Sequence, residues 1–288
     1  MQMKTVLEIR PVTPVIGAEV CGVDLREPLD ADTVKGIRAA LIAHQVIFFR
    51  DQAVTEDEQL RFAEYFGTPM LSVYDTLAAE QPKITVLDTA TPKGQGTDRW
   101  HADHTFSEHP PLGAILRAVQ LPSSGGDTCF ASMAAAYEAL SPAMRDFLDG
   151  LTAIHTTELV DAMISRLSNV VRRSEHPPMH HPVVWVHPEN GRKLLFVNGN
   201  WTTKIVELAQ PESDALLSFL YQHLQAPEFQ CRFRWEVGSV AFWDNRAVQH
   251  LAIPDYSERR VMRRVMMAGT DRPVGPRGQF SNTTQEGD

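Results

Sequence analysis

The feature that most constrains the fold is a histidine and an aspartate one residue apart, with a second histidine far along the chain. His101 and Asp103 lie in a Trp-His-Ala-Asp segment, and His250 follows a Trp-Asp-Asn-Arg segment. Alternate residues of an extended strand point to the same face, so a strand at 101–103 puts both side chains on one face. A fold that also brings His250 there must join two distant segments at one point.

These three residues, called the ligand triad below, have the composition of one kind of metal site. Two imidazoles and one carboxylate on one face of a metal leave the opposite positions open. This arrangement suits non-haem Fe(II) that activates oxygen. A His-x-Asp pair alone is weak evidence, because any exposed strand can carry one. The sequence therefore predicts His101, Asp103 and His250 as metal ligands only in combination with the segments around them.

An arginine-rich segment follows His250 and has the pattern of a β-strand. The run 259–268 is rich in Val and Met as well as Arg. With a period of two, Arg260 and Arg264 share one face and lie about 13 Å apart at about 3.3 Å per residue. Guanidinium groups bind carboxylates and sulfonates in a bidentate manner. We expect anion binding beside the metal; the alternative is a solvated edge strand that carries charge.

Several further motifs occur along nearly the whole chain, and together they resemble one family. They are the segments 17–20, 22–25, 48–52, 100–103, 122–128, 181–184, 196–198 and 243–264. In this order they are similar to the taurine dioxygenase / 2,4-dichlorophenoxyacetate dioxygenase family of Fe(II)- and 2-oxoglutarate-dependent oxygenases. The resemblance implies an enzyme that uses Fe(II), 2-oxoglutarate and O2 to hydroxylate a small anionic substrate, with release of succinate and CO2.

The resemblance also implies residue roles. The ligand triad corresponds to the iron ligands, Arg260 and Thr128 to the groups that hold the distal carboxylate of 2-oxoglutarate, and Arg264 to the arginine that binds the anionic head of the substrate. An alternative for Arg264 is an ion pair with an acidic side chain such as Asp244. Trp243 is expected either beside the iron or as an ordinary core residue.

The residues expected around the substrate are Tyr74, His104, Phe106 and Trp201. The resemblance places Tyr74 and Phe106 where taurine-specific relatives have aromatic residues, and Trp201 where they have a smaller one. His104 departs from the family, which has a small apolar residue there. Strand alternation predicts that His104 points away from the metal face and is not a ligand. A sulfonate such as taurine, an alkyl sulfate and an aryloxyalkanoate all stay open as substrates.

Many short strand-like runs separated by turns indicate a mainly β protein with some helices (α+β). This pattern is typical of a sandwich or jelly roll, and the resemblance implies a double-stranded β-helix (jelly roll) with flanking helices. Capping patterns and helical periodicity predict the main helices. They are at 32–44, from Thr55 to Gly67, 141–150 and 212–224. We expect one domain over 1–271, a lid at 158–179 and a flexible tail at 272–288.

Composition excludes some partners. The net charge of −9 argues against nucleic-acid binding, which requires a basic surface. The three cysteines lack paired spacing, and no signal segment or membrane-spanning run is present. We therefore expect a cytoplasmic protein that binds no membrane, and a homo-oligomer (dimer or tetramer).

Two other functions stay open at this point. A metal-free binding or regulatory relative could keep the fold, although the complete ligand triad argues against this. A zinc hydrolase is the weaker alternative, because it would need a general base nearby and would leave the paired arginines without a role.

Overall fold

Helices form a small part of the structure. The structure is a computed structural model and describes residues 7–76, 83–90, 97–165, 170–172, 176–279 and 282–283. Within these ranges the α-helices are α1 (Ala31–His44), α2 (Glu56–Glu64), α3 (Met133–Glu138), α4 (Pro142–Leu148), α5 (Glu158–Ile164) and α6 (Gln210–His223), and Pro227–Phe229 forms a 3-10 turn.

Short strands make up most of the regular structure. In chain order they are β1 (Glu8–Pro11), β2 (Ala18–Cys21), β3 (Val46–Phe49), β4 (Pro69–Met70), β5 (Tyr74–Thr76), β6 (Thr85–Thr89), β7 (Gly113–Gln120), β8 (Thr128–Ser132), β9 (Thr152–His155), β10 (Val170–Arg172), β11 (Met179–Pro182), β12 (Val184–Val186), β13 (Lys193–Leu195), β14 (Thr202–Ile205), β15 (Gln230–Phe233), β16 (Val240–Asp244), β17 (Val248–Ala252), β18 (Arg260–Met267) and β19 (Asn282–Thr283).

One large sheet and several smaller ones contain these strands. The large sheet has eight strands in the order β1-β2-β3-β16-β7-β18-β4, with β6 also paired to β18. A three-stranded sheet has the order β15-β8-β17, and a four-stranded sheet has the order β14-β9-β11-β19. Apart from the parallel pair β2–β3, the pairings within these three sheets are antiparallel.

The large and three-stranded sheets pack face to face across an apolar core. On β3, Val46 and Phe48 belong to this core, where the ring of Phe48 stacks on Phe233 of β15 at 4.0 Å. The alternate β3 residues, Ile47 and Phe49, belong to a second core beneath α1 and α2. Both faces of the large sheet are therefore covered, which explains why β3 is an unbroken apolar run.

Helices α1 and α2 begin at capping residues. The Asp30 carboxylate accepts a hydrogen bond from the Thr33 amide at the start of α1, and Thr55 and Glu58 form the predicted capping box of α2. The sequence predicts that Gly67 closes α2; the helix ends at Glu64, and the Gly67 amide donates to the Ala63 carbonyl at 3.1 Å. The side chains of β18 alternate as predicted. Met262 and Met266 enter the core between the two sheets, and Val265 enters the core beneath α1 and α2.

The segment after Arg272 is partly anchored where the sequence predicts a flexible tail. The Val186 amide donates to the Val274 carbonyl at 2.9 Å, and Arg277 pairs with Asp146 at 3.0 Å. All three cysteines are free, and no helix among the described residues is long and apolar enough to cross a membrane. Of the predicted lid, residues 166–169 and 173–175 lie outside the described part of the chain.

A buried charge network fixes the turn between β16 and β17. Arg246 donates to both carboxylate oxygens of Asp244, at 2.8 and 2.7 Å, and to Glu189 at 2.6 Å. His187 Nε2 lies 3.0 Å from the same Asp244 carboxylate. Burial alone would raise the pKa of Asp244, but Arg246 outweighs it and holds this pKa below its ordinary value. The turn that leads to His250 is therefore rigidly held.

We predict that Arg246→Ala strongly destabilises the protein. The substitution leaves a buried carboxylate without its guanidinium, and breaking such a pair costs about 3–5 kcal/mol. Urea denaturation measures the free energy of unfolding. Arg10→Ala is the control, because Arg10 forms an exposed pair with Glu8 and its loss should have little effect. Equal stability of the two variants would contradict the role of the network.

Candidate metal and anion site

His101 and His250 meet through their backbones as well as their rings. The His101 amide donates to the His250 carbonyl at 3.1 Å, and the His250 amide donates back at 2.8 Å. This isolated antiparallel bridge joins the segment before Asp103 to β17. The two imidazole rings lie 4.2 Å apart between centroids. The fold therefore brings the two distant segments together, as the sequence requires of a shared site.

The predicted strand at 101–103 is not present. After the bridge at His101 the chain enters a turn that contains Asp103 to Phe106, and His104 has a left-handed backbone with φ 48°. Strand alternation therefore does not determine where the His104 side chain points. The prediction from alternation that it points away from the metal face rests on a strand that is absent. Its imidazole is buried among Phe106 and Trp201, at 5.1 and 6.1 Å between ring centroids.

The ligand triad is buried and its donor atoms lie close together. One ligand atom from each of His101, Asp103 and His250 lies within 4.8 Å of the other two. Asp103 Oδ2 is buried without a hydrogen-bond partner among the described residues. His101 Nδ1 lies 2.7 Å from the Arg99 carbonyl, which favours a proton on Nδ1 and leaves Nε2 as the donor atom for a metal.

The protonation states also fit a divalent metal. Burial lowers the pKa of His101, and it lowers the pKa of His250 to about 3, so both imidazoles are neutral near pH 7. Burial alone would raise the pKa of Asp103, but the positive charge of Arg264 is the chief opposing influence, and this pKa lies below its ordinary value. Neutral imidazoles and an ionised carboxylate are the forms that bind metal.

Arg264 contacts the triad directly. Its Nη1 donates to Asp103 Oδ1 at 3.0 Å, and its Nε is buried without a partner in the described structure. The side chain is 11% exposed. The expected alternative, an ion pair with an acidic residue, is therefore present, but the partner is Asp103. Asp244 is engaged by Arg246 instead.

Arg260 has no carboxylate partner among the described residues, although it is 5% exposed. Its Nε and Nη2 atoms are buried and lack hydrogen-bond partners there. Its guanidinium lies 6.0 Å from the Trp235 ring and 5.9 Å from the Tyr256 ring. A Cβ on Gly126, which has φ +73°, would lie 3.2 Å from the Arg260 side chain. The site therefore contains a buried guanidinium for which the described residues supply no anionic partner.

Thr128 lies in the same region through Trp235. The Trp235 indole donates to Thr128 Oγ1 at 3.0 Å, while the indole ring also lies beside Arg260. No local pattern in the sequence indicates this contact between residues 107 positions apart. Trp243 is a core residue, 1% exposed between the two sheets, and its ring lies 4.8 Å from that of His250, one of the predicted ligands.

Two of the expected substrate residues, Phe106 and Trp201, belong to an apolar group beside His104. Phe106 and Trp201 lie 4.7 Å apart in an edge-on arrangement, and Val160 of α5 packs with them. The Trp201 indole donates to the Ala102 carbonyl at 2.8 Å, inside the His-x-Asp motif. Burial lowers the pKa of His104 to about 4. Tyr74 begins β5, but its side chain lies outside the described part of the structure.

Asn245 is a residue that the sequence interpretation missed. Its side chain binds the backbone of Asp103 through an accepted bond of 2.7 Å and a donated bond of 2.9 Å. The only sequence indication is its position in the polar turn between a buried strand and His250.

Known proteins resemble the chain over almost its full length. Residues 8–266 match the family model for "Taurine catabolism dioxygenase TauD, TfdA family". A sulfate ester dioxygenase dependent on α-ketoglutarate from Pseudomonas putida is 40% identical, over 98% of this chain and 95% of that protein. An alkylsulfatase from Acinetobacter baylyi is 36% identical, over 96% and 90%.

A solved structure has the same fold. The crystal structure of a taurine dioxygenase from Burkholderia xenovorans aligns with a TM-score of 0.83 and 38% identity, and covers 97% of this chain and 96% of that one. The predicted mainly β fold, a jelly roll with flanking helices, is confirmed.

We predict that His250→Ala abolishes metal binding at the triad. Residues that hydrogen-bond to a metal ligand and orient it contribute about 10–100-fold to metal affinity. Loss of a ligand itself should therefore weaken Mn(II) binding by more than about 100-fold. Electron paramagnetic resonance of a Mn(II) titration measures free and bound metal. His223→Ala, on the outer helix α6, is the control and should bind as the unaltered protein does. Unchanged binding by His250→Ala would exclude the triad as the metal site.

Proposed function

Because the chain belongs to the taurine dioxygenase TauD/TfdA family, it is an Fe(II)- and 2-oxoglutarate-dependent dioxygenase, and we propose that its substrate is an alkyl sulfate ester. The observation that carries the substrate proposal is the arrangement around the triad. A guanidinium (Arg264) contacts Asp103, and an apolar group that includes Phe106 and Trp201 lies beside it.

The metal would be held by the ligand triad. The buried Asp103 Oδ2, which has no hydrogen-bond partner in the described ranges, and the neutral imidazoles fit Fe(II), which takes nitrogen and oxygen ligands. When bound with 2-oxoglutarate, the metal supplies the oxygen activation that side chains cannot perform. The protein's own contribution is to hold these groups in place and to exclude water from them.

Arg260 and Thr128 would hold the distal carboxylate of 2-oxoglutarate. Arg260 offers two buried N–H positions, and burying a cation without an anion is costly. Burial lowers the pKa of Arg260, but an arginine stays charged at neutral pH. A dicarboxylate that pairs with this guanidinium would therefore remove a destabilising feature of the free protein. Trp235 keeps the Thr128 hydroxyl in position by donating to it.

Arg264 would bind the anionic head of the substrate. One of its N–H groups is used by Asp103, while its buried Nε has no partner among the described residues and is available to a sulfate oxygen. This contact would place the sulfate beside Asp103. The carbon next to the ester oxygen would then lie near the triad, where a C–H bond can be oxidised.

The apolar group favours a substrate with a hydrocarbon tail. Val73, Phe106, Val160 and Trp201 pack together, with Met163 and Ile164 of α5 against them. Taurine carries an ammonium group in place of such a tail, and a charged amine is costly beside an apolar surface. The two similar relatives described above, named for sulfate esters and alkyl sulfates, support the same choice.

The reaction follows from the substrate. Hydroxylation of the carbon that bears the ester oxygen gives a carbon with both a hydroxyl and a sulfate. Loss of the sulfate, with its C–O bond electrons, and of the hydroxyl proton leaves an aldehyde. One O2 supplies one oxygen atom to this carbon and one to the succinate formed as 2-oxoglutarate loses CO2. A zinc hydrolase would not use 2-oxoglutarate, and a metal-free binding protein would release no succinate.

The remaining partner and location expectations stay predictions. We propose a dimer or tetramer that binds neither nucleic acid nor membrane and works in the cytoplasm. Size-exclusion chromatography with light scattering tests the oligomeric state, and a monomer would contradict it.

We predict that Arg260→Ala raises the 2-oxoglutarate requirement. Loss of a charge-assisted pair in a buried site costs about 2–5 kcal/mol, which is about 30-fold or more in the apparent constant. Succinate release at varied 2-oxoglutarate measures it. Arg259→Ala is the matched control, because the neighbouring Arg259 is exposed and pairs with Asp88. A change only in the constant for the sulfate ester would require the two arginine roles to be exchanged.

We predict that hexyl sulfate stimulates succinate release at least about tenfold more than taurine, since only hexyl sulfate has a tail for the apolar group. Aldehyde and sulfate should form in equal amounts with succinate. Arg264→Ala should no longer show saturation by hexyl sulfate, because the sulfate loses its guanidinium. Binding of Mn(II) and of 2-oxoglutarate by this variant is measured separately as a check. A preference for taurine or for an aryloxyacetate would overturn the sulfate ester proposal while leaving the family assignment intact.

A further inference from the structure

The Asn245 side chain binds both backbone polar groups of Asp103. Its Oδ1 accepts the Asp103 amide at 2.7 Å, and its Nδ2 donates to the Asp103 carbonyl at 2.9 Å. A third, longer contact of 3.4 Å joins Nδ2 to the Pro111 carbonyl. Asn245 is 1% exposed and Asp103 is 3% exposed, so water does not replace these bonds easily.

The backbone of Asp103 needs these bonds because the strand ends before it. The antiparallel bridge pairs His101 with His250, but the chain turns at Asp103 and the next residue, His104, has φ 48°. Buried amide and carbonyl groups that leave a ladder require other partners. The side-chain carboxamide of Asn245 carries an acceptor oxygen beside a donor NH2 group. It therefore bonds the Asp103 amide and carbonyl as the backbone of a neighbouring strand would.

Asn245 is itself held by the turn that leads to His250. Its own amide donates to the Leu112 carbonyl at 3.1 Å, and the residues on either side, Asp244 and Arg246, form the buried charge network. The side chain therefore links the turn before His250 to the backbone that carries Asp103. Both ends of this link are fixed before any metal binds.

We infer that Asn245 is a positioning residue that sets the direction of the Asp103 carboxylate toward the metal. It contributes no atom to the metal and acts through the Asp103 backbone. The inference rests on the proposed function, since it concerns a metal held by the triad. Without Asn245, the turn at 103–106 can rotate, and the carboxylate meets the two imidazoles only in part of the population.

Gln52 provides a matched control for an amide that binds backbone elsewhere. Its Oε1 accepts the Leu25 amide at 2.8 Å, and its Nε2 donates to the carbonyls of Val23 at 3.2 Å and Arg50 at 2.8 Å. Gln52 is 7% exposed and holds the loop after β2. Gln52 and Asn245 are therefore both buried side-chain amides that bind backbone groups. Gln52 holds a loop, whereas Asn245 holds the backbone of a predicted metal ligand.

The test measures metal binding without turnover. The unaltered protein, Asn245→Ala and Gln52→Ala are titrated with Mn(II), and thermal unfolding of each metal-free protein is recorded. We expect Asn245→Ala to bind Mn(II) about 10–100-fold more weakly, the range for partners that orient a ligand, and Gln52→Ala to bind within about threefold of the unaltered protein. The visible spectrum of bound Co(II) should shift in Asn245→Ala and not in Gln52→Ala.

A second pair of variants covers the case in which Asn245→Ala does not fold. Asn245→Asp and Gln52→Glu keep an accepting oxygen and the size of the side chain, replace the amide donor with an oxygen and add a carboxyl charge. A negative charge near the triad would by itself favour a bound cation, so weaker binding in Asn245→Asp reports the lost donor. Asn245→Asp should weaken Mn(II) binding by about tenfold, within the same range, while Gln52→Glu should not.

The outcomes separate this inference from the proposed function. Equal Mn(II) affinities across a folded Asn245 variant, its Gln52 counterpart and the unaltered protein would overturn the positioning role. Equal weakening by both members of a pair would also overturn it, because general stability would then explain the loss. Failure of the unaltered protein to bind Mn(II) more tightly than His250→Ala would instead overturn the triad as the metal site.

Discussion

The pair of backbone hydrogen bonds between His101 and His250 is the interaction on which the rest of the site depends. It joins the irregular segment that carries His101 and Asp103 to β17, which carries His250. Without this bridge, β17 would contribute only one ligand. β17 also pairs with β8, where Ala252 lies opposite Thr128. One ladder therefore sets the metal end of the site and the anion end relative to each other. Side chains on separate loops could not hold this register without such a ladder.

The interior beside this bridge keeps charges that a protein selected only for stability would avoid. Asp103 has a partial partner in Arg264, while Arg260 has two buried N–H positions without one among the described residues. Replacing such groups with apolar residues often stabilises a protein. Their presence is explained if ligands complete them, since a ligand that binds only the folded state adds to its stability. A bound metal and anion would therefore offset the cost of burying these charges.

The sequence predicts what is periodic and misses what depends on turns. The alternation on β18, with Met262 and Met266 in one core and Val265 in the other, follows from a period of two and is present in the structure. The strand at 101–103 is absent because the chain turns at Asp103, and no local pattern distinguishes a strand end from its middle. Asn245 and Trp235 act through contacts with residues more than 100 positions away, which one sequence does not reveal.

Arg264 connects the two halves of the proposed chemistry. It shares one N–H with Asp103, a ligand of the triad, and would share others with the substrate anion. A metal bound to the Asp103 carboxylate would weaken the attraction between that carboxylate and Arg264. An anion bound to Arg264 would in the same way weaken its attraction to Asp103. Effects of one ligand on the affinity of another are reciprocal. In the proposed site, metal and substrate affinities would therefore be coupled through the Arg264–Asp103 ion pair, and Arg260 would lie outside this coupling.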